Sequence, residues 1–540
     1  MNESESPRAE SQLILENSPA AAAWSISVAV LISRILGLVR EMVMSRYFGA
    51  GLATDAFNVA YRIPNLLRDL FAEGALSAAF VPAFVQRLTR SGKTEAWLLA
   101  NRVLSALLVI LGIITLAILF GAKGFVYLLA SGFASVPEKL DLTLQLTRIM
   151  SPFLLFVSLA SVLMGLLNAR GSFFVPAMAS SAFNICCILA GILLSPLMPR
   201  LGLQPIVSMA IGGLAGGASQ FFAMLPSAFG SGFRFRFTLD FSDPGLRQMG
   251  RLMLPAIVGL SATQINIAVD SQLASFFGNG PMSWLNYGFR LMQFPIGIFG
   301  IAIATTTMAT VSHLAAQKEI TKLHLTIAAG LRLAACLTLP AMVGLIIFRH
   351  EMVRLLFEGR NFLAQDTEKT SQVVLCYAFG LFSYTAVKIL VPAFYAFDDA
   401  RTPVRISMIT VAAKIALNFA LIIPFGFLGL AMGTSLASWL NCALLINHLQ
   451  LKTGVHWGRT DLSEYARIIL ASASMGVLAL IIFHASGIFF PGHTNMTLGF
   501  RLGASIMAGV FSLFPLLRIF KINEGREIVR LLGNRIKRML

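Results

Sequence analysis

LANRVLSALLVILGIITLAILFG, residues 99–121, carries one charge, Arg102, and is otherwise uncharged and mostly apolar. A helix needs about 20 such residues to cross the ~30 Å of hydrocarbon in a bilayer. This stretch is long enough, and the chain repeats the pattern. Spans are expected at 22–47, 55–85, 99–121, 143–167, 174–197, 203–228, 252–278, 284–314, 324–348, 371–397, 404–424, 427–450, 465–488 and 497–519, fourteen in all. The first, second, seventh and eighth carry charges and are weak by hydropathy; the others are plain. Composition agrees. Of 540 residues, 56% are hydrophobic and 12% charged, about half the usual ~25%, and mean hydropathy is +0.77. A soluble chain this apolar would expose large aggregating patches. The sequence predicts an all-α polytopic membrane protein.

The formal charge is +17, from 42 Lys+Arg against 25 Asp+Glu. Basic residues collecting in cytoplasmic loops explain this better than nucleic-acid binding. The C-terminal tail holds Arg518, Lys521, Arg526, Arg530, Arg535, Lys537 and Arg538 against Glu524 and Glu527. The loops that share its side, around Arg87–Lys93, Arg234–Arg247, Lys318–Lys322, Arg401–Arg405 and Lys452–Arg459, are richer in Lys and Arg than those opposite. Both termini are therefore expected in the cytoplasm. The N-terminal residues 1–18 are polar and acidic, so no cleavable signal peptide is expected. Cys186, Cys187, Cys336, Cys376 and Cys442 lie in apolar stretches without CxxC spacing and read as free thiols. Ser91-Gly92-Lys93-Thr94 imitates the end of a phosphate-binding loop, but Arg87 stands where that motif needs glycine.

The chain is written twice. Phe48-Gly49-Ala50-Gly51 recurs as Phe277-Gly278-Asn279-Gly280, Tyr61-Arg62 as Phe289-Arg290, and Pro176 as Pro403, at displacements of 229, 228 and 227. Six spans separate the copies, so the repeats are parallel, related by an axis along the membrane normal, an arrangement that puts a substrate path between halves. The expected organisation is a cytoplasmic segment 1–20, an N-lobe 21–228, a cytoplasmic linker 229–251, a C-lobe 252–450, two added helices in 451–519 and a basic tail 520–540.

Charges fall inside the expected spans. Residues 32–82 carry Arg34, Arg40, Glu41, Arg46, Asp55, Arg62, Arg68, Asp69 and Glu73; Asp270, Arg290, Lys388 and Lys414 lie in later spans. An arginine at mid-bilayer costs about 2.5–3.5 kcal/mol even on the lenient insertion scale, so these groups must face one another or water. Asp55, Arg62 and Asp69 repeat every seven residues and Glu73 follows four later, a stripe of alternating sign. Such a stripe reads either as ion pairs locking helices or as the wall of a polar chamber. Arg34 and Glu41 are also seven apart. Arg46 reads as a snorkelling residue at the end of the first helix. Arg40 and Arg68 lie off the stripes and are expected to lack a partner on their own helix. With Arg34 and Arg290 they make bases outnumber acids, which implies an anion; phosphate suits the guanidinium fork. Lys414, with Asn418 one turn on and Thr434 in the next span, is expected to pair with Asp270. The seven histidines show no metal-ligand spacing. Glu351, Glu358, Asp366 and Glu368, in a non-cytoplasmic loop around 349–369, read as solvated.

SRILGLVRE (33–41), FGAGLATDAF (48–57), PNLLRDLFAEGALSAAFVP (64–82), SWLNYGFRLMQFPIG (283–297) and VKILVPAFYAFDDARTPVRI (387–406) carry a resemblance. Over spans one to twelve the chain resembles the MurJ (MviN) lipid II flippases of the multidrug/oligosaccharidyl-lipid/polysaccharide exporter superfamily. The resemblance implies two pseudo-symmetric six-helix lobes around a cationic central cavity, with helices 13 and 14 forming a groove for a lipid tail. It implies that Arg34, Arg40, Arg68 and Arg290 engage the diphosphate of undecaprenyl-linked peptidoglycan precursor, supported or gated by Ser33, Glu41, Asp55, Arg62 and Glu73. Glu41 stands where relatives often have Asp, and Phe289 and Gln293 stand where some carry acids, which makes this cavity more positive. Some relatives hold a monovalent cation among helices seven, eleven and twelve. Asp270, Asn418 and Thr434 fall there, but Lys414 brings its own ammonium, so transport is expected to persist without sodium. No other cofactor or metal is implied.

The expected function is therefore a flippase, not an enzyme: lipid II passes from the inner to the outer leaflet of the bacterial cytoplasmic membrane by alternating access, driven by membrane potential. Membrane lipids and proteins of cell-wall synthesis are the expected neighbours of a monomer, and nucleic acid is not. Three alternatives stay open: a flippase for another polyprenyl-diphosphate glycan, a membrane glycosyltransferase using the acids of 349–369, and a scaffold for division proteins.

Overall fold

The computed structural model describes residues 19–70, 75–455, 459–492, 494–522 and 524. Glu73, the N-terminal segment 1–18 and the tail basic residues from Arg526 onward lie outside them. Every regular element among the described residues is helical. The chain forms two compact units.

The first unit comprises Met1–Ser283 and Gly359–Phe362. Its helices are α1 (Pro19–Phe48), α2 (Leu52–Arg68), α3 (Ala75–Ala130), α4 (Pro137–Met150), α5 (Phe153–Ala169), α6 (Phe174–Leu189), α7 (Val207–Gly230) and α8 (Pro244–Ala274). The long α3 holds the end of the second expected span and all of the third, joined at Gly92, whose φ of 84° breaks the helix. α7 lies close on α6 because small residues face it: a Cβ at Gly216 would stand 2.6 Å from the Phe183 ring, and one at Gly212 2.6 Å from the Ala190 Cβ. Where lipid is the solvent, such small-residue seams bring backbones into van der Waals contact. α8 packs along α3, so contacts place it in this unit, whereas the sequence repeat aligns it with the second half. Descent and packing group this helix differently.

The second unit comprises Trp284–Glu358 and Leu363–Leu540. It holds most of α9 (Pro281–Pro295), then α10 (Ile301–Ala316), α11 (Ile320–Ile347), α12 (Arg349–Phe357), α13 (Ala364–Ala378), α14 (Leu381–Tyr395), α15 (Arg401–Phe425), α16 (Leu428–Thr453), α17 (Arg459–Phe489) and α18 (Asn495–Ile519). Leu331, Ala335, Ile389, Phe394 and Leu445 form its core, which Ile468 and Leu517 of α17 and α18 join. Arg332 of α11 binds Glu464 of α17 at 2.9 Å and Glu524 at 2.5 Å, tying the last hairpin to the bundle.

Each of the fourteen expected stretches contains helix among the described residues. By length and apolarity, nine described helices can cross a membrane, or twelve if three bent pairs count as single spans. The bent pairs include the seventh and eighth expected spans, at 52° and 40°. The first and second, α1 and the α2 stretch, are the two that the apolarity criterion leaves out, and they carry the charges described next.

Candidate functional site

α1 ends at Phe48, and Gly49 turns the chain with φ +75°. No side chain fits there, because a Cβ would stand 2.2 Å from the Asn361 backbone oxygen. Asn361 returns to this turn, donating its backbone N–H to the Arg46 carbonyl at 3.3 Å and its amide to the Tyr47 carbonyl. Arg46 packs its stem on Gly359, so the expected snorkelling residue is partly covered by protein.

Six residues beyond the turn, Asp55 is fully buried. Its carboxylate accepts from the Lys139 ammonium at 2.8 Å, the Gly280 N–H at 2.7 Å, the Ser283 N–H at 2.9 Å and the Ser283 hydroxyl at 2.6 Å. Lys139, also buried, donates to the Gly278 carbonyl at 2.8 Å and lies 4.1 Å from the Phe133 ring centroid. A charge pair taken out of water is stable only when its remaining bonds are satisfied, and here backbone and hydroxyl donors supply them. Beside it, the Ser131 N–H donates to the Gln272 side chain at 2.9 Å and the Gly132 N–H to the Ser275 hydroxyl at 3.0 Å. Arg62 donates to the Ser271 hydroxyl. One end of α2, α4 and α8 is thus bolted together around Asp55. The stripe of alternating charge does not account for this: Asp55 turns away to Lys139, which the sequence placed in a loop. Lys139 belongs to α4, whose buried face repeats as Lys139, Leu142, Thr143, Leu146, Thr147 and Met150. That periodicity was the available signal, and the expected span began four residues too late to include it.

Arg40 and Arg68 correct a second expectation. Each has a carboxylate partner on its own helix, and the partner is the next residue: Arg40 meets Glu41 at 2.6 Å and Arg68 meets Asp69 at 2.8 Å. Adjacent helical residues point about 100° apart, so each guanidinium is drawn sideways along the helix, and both side chains keep some exposure. Arg40 also lies 5.5 Å from the Phe183 ring centroid. Arg34, one face of α1 away, has no hydrogen-bond or ion-pair partner among the described residues. Neighbouring Ser33 accepts the Asn184 amide on its carbonyl at 3.2 Å. Of the four arginines assigned to the anion, Arg34, Arg40 and Arg68 lie in the first unit, while Arg290 is an exposed residue of α9 in the second.

In the second unit Lys414, Asn418 and Thr434 are all buried. α15 and α16 touch here so closely that a Cβ at Gly433 would stand 2.2 Å from the Asn418 side-chain oxygen. Thr434 donates its hydroxyl to the Leu430 carbonyl at 2.8 Å. Lys414 lies one turn before Asn418 on the same helix and is buried like it. Asp270 belongs to the first unit.

The loop around 349–369 is largely α12 and the start of α13; Glu368 is exposed as expected, whereas Asp366 and Glu358 bind neighbouring groups. Asp366 accepts the Leu363 N–H and the Trp284 indole N–H, both at 2.9 Å, and Glu358 accepts the Thr367 hydroxyl at 2.7 Å. The stretch expected as a linker is also docked. Asn101 of α3 exchanges bonds with Arg234 and Arg236, and the Thr238 N–H donates to Ser105 at 2.9 Å. Asp243 then caps α8 through the Leu246 N–H at 2.9 Å and binds Arg87 and Arg102. Burial opposes its charge, but that N–H and the two guanidinium groups outweigh it and hold its carboxyl below the usual range.

Two all-helical units with nine to twelve described helices long and apolar enough to cross a bilayer define a polytopic membrane protein, and its relatives place it among transporters. A solved inward-facing multidrug resistance MATE family transporter of the MOP superfamily shares the fold, with a TM-score of 0.66 at 14% identity over 80% of this chain and 98% of that one. A solved structure described as lipid II flippase MurJ in an inward closed conformation matches at TM-score 0.76 and 25% identity, over 91% and 98%. The family described as lipid II flippase MurJ matches residues 44–498. A probable lipid II flippase MurJ of Vibrio cholerae serotype O1 is 37% identical over 83% of this chain and 86% of its own length. The lipid II flippase MurJ of Burkholderia cenocepacia is 31% identical over 81% and 84%. The chain belongs to the lipid II flippase MurJ family.

Proposed function

We propose that this protein flips lipid II across the bacterial cytoplasmic membrane, from the inner to the outer leaflet, with both termini in the cytoplasm. Family membership supports the substrate. The observation that carries the site is the set of arginines on α1 and α2, with Arg34 lacking a carboxylate partner among the described residues and Arg40 and Arg68 each paired to the acid next in sequence. A diphosphate accepts paired, charge-assisted bonds from several guanidinium forks at once. It outcompetes Glu41 and Asp69 because each of those reaches its arginine sideways along one helix. Arg290 of α9 is assigned to the same anion on the family resemblance alone.

With the termini inside, the Gly49 turn and the Asp55 bolt lie at the outer face. Parting them gives the headgroup an exit by alternating access, and re-forming them closes it. Transport proceeds without sodium in this reading, because the buried Lys414 brings a positive charge of its own to the helix that carries Asn418. Membrane potential supplies the drive: each negative charge moved outward is worth about 2.3 kcal/mol per 100 mV.

The test is to deplete the protein and assay which leaflet retains lipid II, then restore it as wild type, R34A, R40A, R68A or R290A. Loss of outward movement in the variants, with protein still in the membrane, is expected. Variants that all flip at the wild-type rate would overturn the anion site, and retention of a different polyprenyl-diphosphate glycan would redirect the substrate.

A further inference from the structure

We propose that the α17–α18 hairpin holds the phosphate of a membrane phospholipid on Arg501, a site separate from the transport arginines. Arg501 is six residues into α18, about 9 Å along the helix, near the hairpin tip. Its guanidinium lies 4.5 Å from the Phe483 ring centroid, and Nη2 donates to the Phe483 carbonyl at 3.2 Å. It rests flat on the α17 backbone, since a Cβ at Gly487 would stand 3.0 Å from Nη2. Nε is buried with no hydrogen-bond partner among the described residues, and no described carboxylate lies within ion-pair distance. Around it the surface is apolar: Ile488, Phe489, Met496 and Phe500 are 78%, 79%, 71% and 55% exposed.

A helix lock alone would need one donor, and Arg501 spends one of five. The rest of a charged fork, fixed in place within a lipid-facing hairpin, calls for an oxyanion. At this depth, with a long stem able to reach the headgroup boundary, the anion present in quantity is the lipid phosphodiester, which the fork matches with paired bonds.

Full-length protein, stripped of lipid in detergent, is titrated with phosphatidylglycerol, phosphatidylethanolamine or diacylglycerol and read by native mass spectrometry. Wild type is expected to retain one more phospholipid than R501Q, with about tenfold weaker retention in the variant and no difference for diacylglycerol. R501K, which keeps the charge but not the fork, falls between. G487A, which pushes the guanidinium aside with its charge intact, also loses lipid, so the test survives if R501Q fails to fold. Equal phospholipid retention by wild type, R501K and G487A would overturn the proposal. Displacement of the lipid by excess inorganic phosphate would show a free-anion site and remove the lipid assignment. Because binding is read without transport, failure here leaves the flippase reading untouched, and the reverse also holds.

Discussion

Asp55 satisfies four donors with one carboxylate, and one of them is a buried ammonium. D55N leaves Lys139 charged and uncompensated, which costs about 3–5 kcal/mol, whereas D55N/K139M removes both charges and recovers most of it. Thermal melts of the two variants in detergent check this; a double variant no more stable than D55N would show that Lys139 does not depend on Asp55. Arg40 is tested beside its neighbour. R40A is expected to slow flipping about ten- to a hundredfold through lost charge-assisted bonds, while E41Q removes only the local carboxylate charge and retains transport. The residue types were legible in the sequence, since charges in apolar spans announce themselves. Their pairings were not. Asp55 bonds to residues 84 and 228 positions away, which helical spacing cannot reveal. Arg40 and Arg68 bond to the very next residue, which helical spacing argues against.

At the scale of elements, helix positions followed from hydropathy and helix ends did not, because caps and kinks lie outside the apolar runs. α15 begins where Asp399 accepts the Thr402 N–H at 3.0 Å and the Lys452 ammonium of α16 at 2.7 Å. The Lys452 bond and then the Thr402 N–H hold the Asp399 carboxyl down to about 2. A lowered carboxylate pKa stabilises the fold above the ordinary value near 4 and ceases to do so as pH falls through about 2. D399N should therefore melt about 1 °C lower at pH 7, with the gap closing between pH 4 and 2. At α8, D243A loses a cap and two guanidinium partners together, an expected cost of about 2–4 kcal/mol, read in the same melts. The 229–251 stretch looked like a linker because it is polar. Its docking depends on Asn101 and Ser105, two polar residues one turn apart on α3, inside what reads as an ordinary span.

For the whole molecule, the predictions concern what drives transport. Collapsing the membrane potential should stop flipping in vesicles, depleting ATP alone should not, and replacing sodium by potassium should leave the rate unchanged. A strict sodium requirement would mean that the Lys414 charge does not stand in for a cation. The duplication was readable from Phe48-Gly49-Ala50-Gly51 and its echo at Phe277-Gly278-Asn279-Gly280. What it could not reveal is that Gly359–Phe362, late in the chain, belongs by its contacts to the first unit. This hook bears on biogenesis. A nascent chain entering the membrane from its N-terminus has made every helix of the first bundle long before Asn361 emerges to cover Gly49. The Gly49 end of the first bundle thus stays uncovered through the synthesis of four further helices, Pro281–Phe357, before its cover exists.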